Sequence, residues 1–328
     1  MKKLFASLLA GMMILTGCGT GDSSTTGETK DLSEVKIGVV QLMQHTALDA
    51  TYEGFKDVLV EAGVKEENIN YQVPGEDNIA TSADSMVNGG YDLIYAIATP
   101  AVQAVDAAAD DSLPIVGCAV TDYVEVGLAA SNEAPGGNVT GASDLTPIAQ
   151  QFDLLTQILP DAKNVAIVYC GSEPNSVIQG NTAEEAAKAK GLNTTVYTVT
   201  DQNNVTAVME KIVADKVDVI YIPTDNLLAN NMNSVAEIAS GAKIPTIVGE
   251  DGMCQNGGMA TYGINYYNLG KVAGQQALKI LRGEATPAEM PIEFLPAEEC
   301  AVTINLKTAE KCGITINKAD YPDASFIE

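Results

Sequence analysis

Short apolar runs alternate along the first half of the chain with segments in which apolar residues recur every three or four positions. A run of four to eight apolar residues is typical of a buried strand, and the longer spacing is typical of a helix. This pattern predicts strands at 35–41, 68–73, 91–98 and 113–120, and helices at 47–63, 80–87 and 101–109. The first half is therefore expected to alternate strand and helix.

The second half repeats that order with similar spacing. Predicted strands lie at 164–169, 193–199, 217–222 and 244–249, and predicted helices at 183–190, 205–214 and 227–240. Strands that alternate with helices imply right-handed crossovers and a mostly parallel sheet. The sequence thus predicts an α/β protein with two similar doubly wound parallel-sheet lobes.

Polar residues follow the predicted strands abruptly, and two such junctions resemble each other. Thr99 and Pro100 follow one strand, and Asp225 and Asn226 follow a strand of the second half. In doubly wound sheets, ligands bind beyond the carboxyl ends of the strands, where helix N-termini present unpaired N–H groups. Thr99 is expected to be an N-cap, Pro100 the first helical residue, and Asp225 or Asn226 the equivalent cap. The alternative is that these residues are only caps.

Composition limits the classes of function. The 328 residues, 46% apolar and 19% charged, suffice for two domains with proper cores. The formal net charge of −25 becomes two units more negative if Lys2 and Lys3 are removed, which disfavours binding to nucleic acid or anionic lipid. Beyond Cys18, five cysteines lack metal-ligand spacing, so we expect mostly buried free thiols, with one disulfide possible.

The N-terminus has the pattern of an export signal. Two lysines precede an apolar run over 4–16, which is too short to span a bilayer as a helix, and Leu15-Thr16-Gly17-Cys18 matches the bacterial lipobox. We predict a lipoprotein signal peptide over 1–17, then a lipidated Cys18 and a flexible Gly/Ser/Thr-rich tether over 18–34. The protein would be exported and lipid-anchored on the outer face of the cell membrane. A plain signal peptide with an incidental cysteine is the alternative.

Several segments together carry a family resemblance. They are Ile97-Ala-Thr-Pro-Ala-Val-Gln103, Val120-Thr-Asp122, Gly136-Gly-Asn-Val-Thr-Gly-Ala-Ser-Asp144, Tyr169-Cys-Gly-Ser-Glu-Pro-Asn-Ser176, Pro223-Thr-Asp-Asn226 and Tyr266-Tyr-Asn-Leu-Gly-Lys-Val-Ala-Gly274. With the lipobox and the duplicated lobes, they resemble the tryptophan/tyrosine-type substrate-binding lipoproteins of ABC transporters. Cys170-Gly171 departs from the Asn-Pro that is common in that family at this loop.

The resemblance implies a type I periplasmic-binding-protein fold with a three-segment hinge. Lobe 1 would comprise 35–142 and about 266–295, and lobe 2 would comprise 143–265 and about 296–328. It also implies an amino acid ligand, often aromatic, held between the lobes and delivered to a membrane permease driven by a cytoplasmic ATPase. No cofactor, metal or nucleic acid is implied, and we expect a monomer.

The chemistry of an amino acid selects candidate residues at the strand ends and the hinge. The ligand carboxylate is expected near Thr99 and Ser176, and the ammonium at Asp225 first, or at Asp122 or Glu250. Tyr123, Tyr169 and Tyr266 are candidates for an aromatic wall. The full set of predicted ligand-binding residues is Gln41, His45, Thr99, Pro100, Gln103, Thr121, Asp122, Ser143, Asn175, Ser176, Asp225, Asn226 and Glu250. Ser143 is equally compatible with a hinge role.

Three alternatives remain open at this point. The same fold would also accommodate a nucleoside, another small metabolite or a branched aliphatic amino acid. An exported hydrolase is disfavoured by a single histidine and by the lack of nucleophile and zinc motifs, although carboxylate pairs are always available among 43 acidic residues. A sugar-responsive regulator would need a DNA-binding head where the lipobox stands. We predict a binding protein and not an enzyme.

Overall fold

The computed structural model describes residues 31–328, so the predicted signal peptide, Cys18 and residues 19–30 of the predicted tether lie outside the described residues. The strands are β1 (Ile37–Gln41), β2 (Ile69–Gln72), β3 (Leu93–Ile97), β4 (Ile115–Val120), β5 (Val139–Ser143), β6 (Asn164–Cys170), β7 (Asn193–Val199), β8 (Val219–Ile222), β9 (Thr246–Val248), β10 (Ala260–Ile264), β11 (Glu293–Phe294), β12 (Cys300–Asn305) and β13 (Ser325–Ile327).

The α-helices fill the connections between these strands. They are α1 (Thr46–Glu61), α2 (Ile79–Val87), α3 (Thr99–Ala108), α4 (Ile148–Ile158), α5 (Pro174–Ala189), α6 (Val205–Ala214), α7 (Asn226–Asn230), α8 (Met232–Gly241), α9 (Asp251–Gln255), α10 (Tyr266–Leu281) and α11 (Leu306–Lys311). None of the helices within 31–328 combines the length and the apolar character needed to cross a membrane.

Two sheets organise the fold, and we call the body around each sheet a lobe. Lobe 1 holds the order β2-β1-β3-β4-β5-β11, in which every pair is parallel. Lobe 2 holds β7-β6-β8-β9-β10-β12-β13, in which only the β10–β12 pair is antiparallel. Strand β1 is buried along its whole length, as expected for parallel strands covered by helices on both faces. The predicted fold class is confirmed.

The chain passes between the sheets three times, after β5, after β10 and after β11. Helix α10 returns to lobe 1, where Leu269, Ala273 and Ala277 join the same apolar core as β1. The exact lobe boundaries stay predictions. Each crossing is a single connecting segment, and segments of this kind allow a hinge motion between the lobes.

Helices α1 and α10 approach each other so closely that glycine is required at the contact. A Cβ atom on Gly54 would lie 2.0 Å from the carbonyl oxygen of Tyr267, and one on Gly270 would lie 2.1 Å from that of Thr51. Real Cβ atoms never approach backbone so closely, so neither position accepts a side chain without separating the helices. This contact fixes α10 onto lobe 1.

Two predicted helices differ from the structure. Helix α5 begins at Pro174, nine residues before the predicted start, because its first two turns are polar and lack an amphipathic period. The predicted helix 227–240 is two helices, since Asn231, with φ −102° and ψ 10°, leaves the helical region between α7 and α8. All five cysteines within 31–328 are free, and Cys118, Cys170 and Cys254 are buried.

Candidate functional site

The lobes meet around a small cavity at the carboxyl ends of both sheets. Its wall is formed by His45, Leu48, Ala119, Asp144, Asn175, Thr224, Asp225, Asn226, Ala229, Glu250 and Tyr266. The free volume for a water-sized molecule is about 10 Å³, room for about one water and far below the roughly 300 Å³ of the smallest ligand pockets. The lobes are therefore closed, and a ligand of amino acid size needs them to move apart.

Backbone strain marks the lobe 1 side of this cavity. Ala98, just after β3, and Ala119, within β4, adopt positive φ angles of 82° and 56°. Ala119 is the extra residue of a bulge between Cys118 and Val120 in the pairing of β4 with β5. Strained non-glycine residues and bulges are concentrated at functional sites, where they redirect the backbone. Both strained alanines lie at strand ends that face lobe 2.

The short helix α7 places two acidic side chains at one helix N-terminus. Asp225 is the N-cap, and its Oδ1 accepts the N–H of Leu228 at 2.7 Å while its Oδ2 accepts the N–H of Cys170 at 2.5 Å. Glu173, from the start of α5, accepts the N–H of Leu227 at 3.0 Å through Oε1. The backbone N–H groups that donate to these two acids offset part of the cost of burying them.

Glu173 accepts three further hydrogen bonds, all through Oε2. The donors are the backbone N–H of Asn226 at 3.2 Å, the side-chain Nδ2 of Asn226 at 2.6 Å and Nδ2 of Asn175 at 3.2 Å. The side chain of Glu173 is 2% exposed. It lies behind the cavity wall and holds two residues of that wall in place.

Two more carboxylates complete the site. Glu250 is the N-cap of α9 and accepts the N–H groups of Gly252 and Met253, the second at 2.7 Å. Asp144, in the first crossing between the lobes, accepts the hydroxyl of Tyr266 at 2.9 Å and that of Thr121 at 3.3 Å. The cavity wall contains no lysine or arginine, and none of these four carboxylates forms an ion pair with another residue of 31–328.

Burial without a cation changes the acid–base properties of the site. Burial raises the pKa of Asp144 to about 6, and burial together with the Asp251 charge raises the pKa of Glu250 to about 8. Burial and then the Asp225 charge raise the pKa of Glu173 to about 8, and burial also raises the pKa of Asp225. Removal from water disfavours the charged form of an acid, whereas a cation bound beside these acids would favour their ionised forms.

Hydrogen bonds link the two lobes across the cleft. His45 Nε2 lies 3.3 Å from Asn226 Oδ1, and Gln179 Nε2 donates to Thr121 Oγ1 at 3.0 Å. At the edge of the cleft, Asn256 Nδ2 donates to the hydroxyl of Thr46 at 3.1 Å. Burial lowers the pKa of His45 to about 4, so its ring is neutral at physiological pH. These contacts define the closed arrangement.

The structure brings five of the thirteen predicted residues into the cavity wall: His45, Asn175, Asp225, Asn226 and Glu250. Thr121 and Ser176 are buried beside them, since Thr121 contacts Asp144 and Ser176 Oγ lies 3.2 Å from Asn175 Nδ2. The predicted capping role is observed for Asp225. Asn175 and Ser176 form part of the first turn of α5, with Glu173 as the N-cap.

The other six predicted residues do not line the cavity. Ala98, and not Thr99, is the N-cap of α3, which moves Pro100 to the second helical position and leaves Thr99 Oγ1 buried with no hydrogen-bond partner within 31–328. The predicted N-cap role of Thr99 is therefore wrong, because the turn at Ala98 begins the helix one residue early.

The remaining four make contacts within a lobe or at the hinge. Gln41 donates to Asp49 Oδ1 at 2.7 Å, and Gln103 donates to the carbonyl of Val126 at 3.3 Å. Asp122 accepts two N–H groups of the turn that follows it, and Ser143 donates to the carbonyl of Thr121 at 2.9 Å. Their polar groups are occupied by the chain itself.

Sequence reasoning did not select Glu173, Asp144 or Thr224. Glu173 and Asp144 both lie in segments quoted for the family resemblance, but neither has a sequence neighbour that signals burial. Pro174 after Glu173 signals only the start of a helix, and the contacts of Glu173 with α7, 53 and 54 positions away, have no local signal. Tyr266, considered only for an aromatic wall, also serves as a donor to Asp144.

A larger hollow, of about 580 Å³, lies at the opposite end of lobe 2, between the end of α4 and residues 213–218 and 242–244. It lies before β8 and β9, at the amino ends of the strands, whereas ligands of doubly wound sheets bind beyond the carboxyl ends. The small cavity between the lobes is the better candidate. Within 31–328, no cluster of three or more His, Cys, Asp and Glu side chains is arranged to hold a metal ion.

Comparison with known proteins agrees with this architecture. Residues 36–321 match the family model described as ABC transporter substrate binding protein. A tyrosine-binding protein of Clostridioides difficile strain R20291 is 35% identical over 319 residues, covering 94% of this chain and 91% of that protein. Both matches span most of the chain.

Two solved structures resemble the chain at more than 30% sequence identity. The ABC domain of a Streptococcus pneumoniae protein in complex with L-Trp has 32% identity and a TM-score of 0.83, covering 89% of this chain and all of that one. The ligand-free, open structure of a substrate-binding protein with adhesive properties from Clostridium difficile has 34% identity and a TM-score of 0.68. The match covers 90% of this chain and 99% of that one. The present chain is closer in shape to the first. It belongs to the family of ABC transporter substrate-binding proteins.

Proposed function

We propose that the protein captures an aromatic amino acid between its lobes and delivers it to the permease of an ABC importer. The observation that carries the proposal is the charge pattern of the cleft. Lobe 2 contributes Asp225 and Glu250 to the wall, with Glu173 behind them, and no cation balances these carboxylates within the cavity wall. The ammonium group of an amino acid ligand supplies the missing positive charge.

Lobe 1 offers the complementary end of the site. Helix α1 begins at the cavity wall, and the side chain of its N-cap residue, His45, accepts no hydrogen bond from the first turn. Uncapped helix N-termini bind carboxylates through their N–H groups and partial positive charge. A zwitterionic amino acid therefore fits with its carboxylate toward lobe 1 and its ammonium toward lobe 2.

The remaining wall suits an apolar side chain. Leu48 and Ala119 from lobe 1, Ala229 from lobe 2 and the ring of Tyr266 border the cavity. The S. pneumoniae relative was solved with L-Trp, and the C. difficile relative is described as a tyrosine-binding protein. We infer an aromatic amino acid as the ligand, with branched aliphatic amino acids second.

The N-terminal segment completes the proposal. Cleavage before Cys18 and acylation of that cysteine would anchor the protein on the outer face of the cell membrane, with the tether to about residue 34 allowing the two lobes to reach the permease. The protein would act as a monomer that binds without turnover and uses no cofactor.

Thermal unfolding tests the ligand class. Protein stripped of bound ligand by partial unfolding is mixed with each of the twenty amino acids, nucleosides and common sugars, and unfolding is followed by dye fluorescence because the chain has no tryptophan. A ligand at 100 times its Kd stabilises the fold by about 2.7 kcal/mol. We expect L-Trp or L-Tyr to raise the Tm most. A response to sugars or nucleosides alone would refute the amino acid assignment, and consumption of a compound would refute a pure binding role.

A further inference from the structure

We propose that Glu173 determines which hydrogen-bonding groups the cleft presents, and that through Asn175 and Asn226 it makes the cleft select ligands that carry hydrogen-bond donors. The choice of ligand in this inference rests on the proposed function. Its mechanism rests only on the contacts of Glu173. Glu173 does not line the cavity, so it acts as a positioning residue.

The first step is the orientation of two amide side chains. Both Nδ2 groups, of Asn226 at 2.6 Å and of Asn175 at 3.2 Å, point at Oε2 of Glu173. Turning either amide around would place its Oδ1 against the carboxylate oxygen, and two acceptors repel each other. Oε1 accepts only Leu227 N–H, so a proton on that oxygen leaves the arrangement intact. Glu173 thereby fixes both amides with their oxygens turned away from it.

The second step passes from Asn226 to the opposite lobe. With Nδ2 directed at Glu173, Oδ1 of Asn226 is the atom that meets His45 Nε2 at 3.3 Å. An amide oxygen only accepts, so Nε2 of the neutral ring carries the proton. His45 Nδ1 is then an acceptor, and it is buried with no hydrogen-bond partner within 31–328. The tautomer of His45 is thus set from lobe 2.

The third step concerns Asn175. Its Nδ2 contacts Glu173, Ser176 Oγ and the carbonyl of Thr224, which leaves Oδ1 buried and without a partner in the described chain. Asn175 is 4% exposed and lines the cavity. The cleft therefore presents two unpaired acceptors, His45 Nδ1 from lobe 1 and Asn175 Oδ1 from lobe 2.

A ligand with ammonium, hydroxyl or indole N–H groups satisfies these acceptors, whereas an isostere without such a donor leaves one unpaired. Leaving a buried acceptor unpaired lowers affinity by roughly 5- to 100-fold. We therefore expect L-Trp to bind at least about 10-fold more tightly than indole-3-propionate, which has the same ring and carboxylate and lacks the ammonium.

Nuclear magnetic resonance tests the mechanism without any ligand. His45 is the single histidine of the chain, so in untagged protein labelled with ¹⁵N-histidine its ring nitrogens give the only imidazole signals. We expect the neutral Nε2–H tautomer from pH 5.5 to 8 with no titration. The Nδ1–H tautomer, or a ring that titrates near its ordinary pKa of about 6.5, would overturn the inference.

A charge swap tests the role in binding. N226D places a second carboxylate against Glu173 and should weaken L-Trp binding by at least about 10-fold. E173Q added to N226D lets the introduced glutamine amide donate to the new carboxylate, although the same amide opposes Nδ2 of Asn175, so the double variant should recover part of that loss. Calorimetric titration of folded variants, checked by circular dichroism, measures both. A double variant that binds no better than N226D refutes the inference. Failure of the unaltered protein to bind L-Trp would refute the proposed ligand, while the His45 tautomer would still test the contact between His45 and Asn226 on which the mechanism rests.

Discussion

His45 Nε2 lies 3.3 Å from Asn226 Oδ1, and this hydrogen bond joins two residues 181 positions apart on opposite lobes. Because it exists only when the lobes are closed, it stabilises the ligand-binding conformation without supporting either lobe alone. His45→Ala should therefore weaken amino acid binding by about 5- to 10-fold, the effect of one neutral hydrogen bond, and leave the Tm of ligand-free protein nearly unchanged. Calorimetric titration beside thermal unfolding measures both.

The matched control is Gln44→Ala, which removes an exposed side chain one position away. It should leave the affinity as it is. Equal affinity of the His45→Ala variant and this control would show that the cross-lobe hydrogen bond contributes nothing to closure.

Gly252 allows the first turn of α9 to approach the start of α1. A Cβ atom there would lie 2.8 Å from Thr46 Cβ and equally close to a carboxylate oxygen of Glu250. Gly252→Ala should keep the lobes apart and lower ligand affinity by about 10-fold, and small-angle X-ray scattering of the ligand-free variant should give a larger radius of gyration than the unaltered protein. Gly241→Ala, where the added methyl meets nothing within 4 Å, is the control. An unchanged radius of gyration in the Gly252 variant would contradict this prediction.

Gly270 lies in the contact between α1 and α10, where a Cβ atom would overlap the carbonyl oxygen of Thr51 at 2.1 Å. Gly270→Ala must separate the two helices, and overpacking of this kind lowers the free energy of unfolding by typically 1–3 kcal/mol or more. Urea unfolding measures the loss. Gly137→Ala has open space around its Cβ and should change stability by about 0.5 kcal/mol or less. Similar values for both variants would count against the close helix contact.

Stability should fall with rising pH in ligand-free protein. The pKa values of Glu250 and Asp144 are raised by burial to about 8 and about 6, so the native state binds more protons than the unfolded chain between pH 5 and 8. The contribution of these two groups to the free energy of unfolding is fully present below pH 4 and is lost as the pH rises through 6 and 8. A pKa that is higher by one in the folded protein than in the unfolded chain corresponds to at most about 1.4 kcal/mol. Thermal unfolding from pH 5 to 8.5 measures the slope.

Glu250→Gln should flatten that slope, because the amide has no proton to lose, whereas Glu237→Gln at an exposed position should not. An ammonium ligand favours the ionised carboxylates, so its affinity should rise over the same pH range. Parallel slopes for the Glu250 variant and the control would show that Glu250 does not titrate in this window.

The predicted anchor at Cys18 has its own test. Cys18→Ala should release the protein from membranes into the soluble fraction without changing its Tm, because residues 31–328 hold both sheets. Membrane fractionation with immunoblotting is the measurement. A processed Cys18→Ala protein that stays with the membrane would contradict lipid anchoring.

The sequence by itself determined the α/β class and the repeated strand–helix order, because those follow from local periodicity that each segment carries alone. Strands β1 and β3 were visible as apolar runs since both faces of a central parallel strand are buried. The position of Asp225 after β8 also followed, because a cap is a contact between near neighbours in the chain.

The tertiary structure alone decided which polar residues share the cleft. Glu173 contacts Asn226 from 53 positions away and Asp144 contacts Tyr266 from 122, and no local pattern encodes such pairs. Gln41 ends β1 and Gln103 lies in α3, the helix after β3. Each side chain nevertheless forms its hydrogen bonds within its own lobe, and neither reaches the cleft. Burial also decided the charge states, since a carboxylate acquires a raised pKa only when packing removes water and supplies no cation.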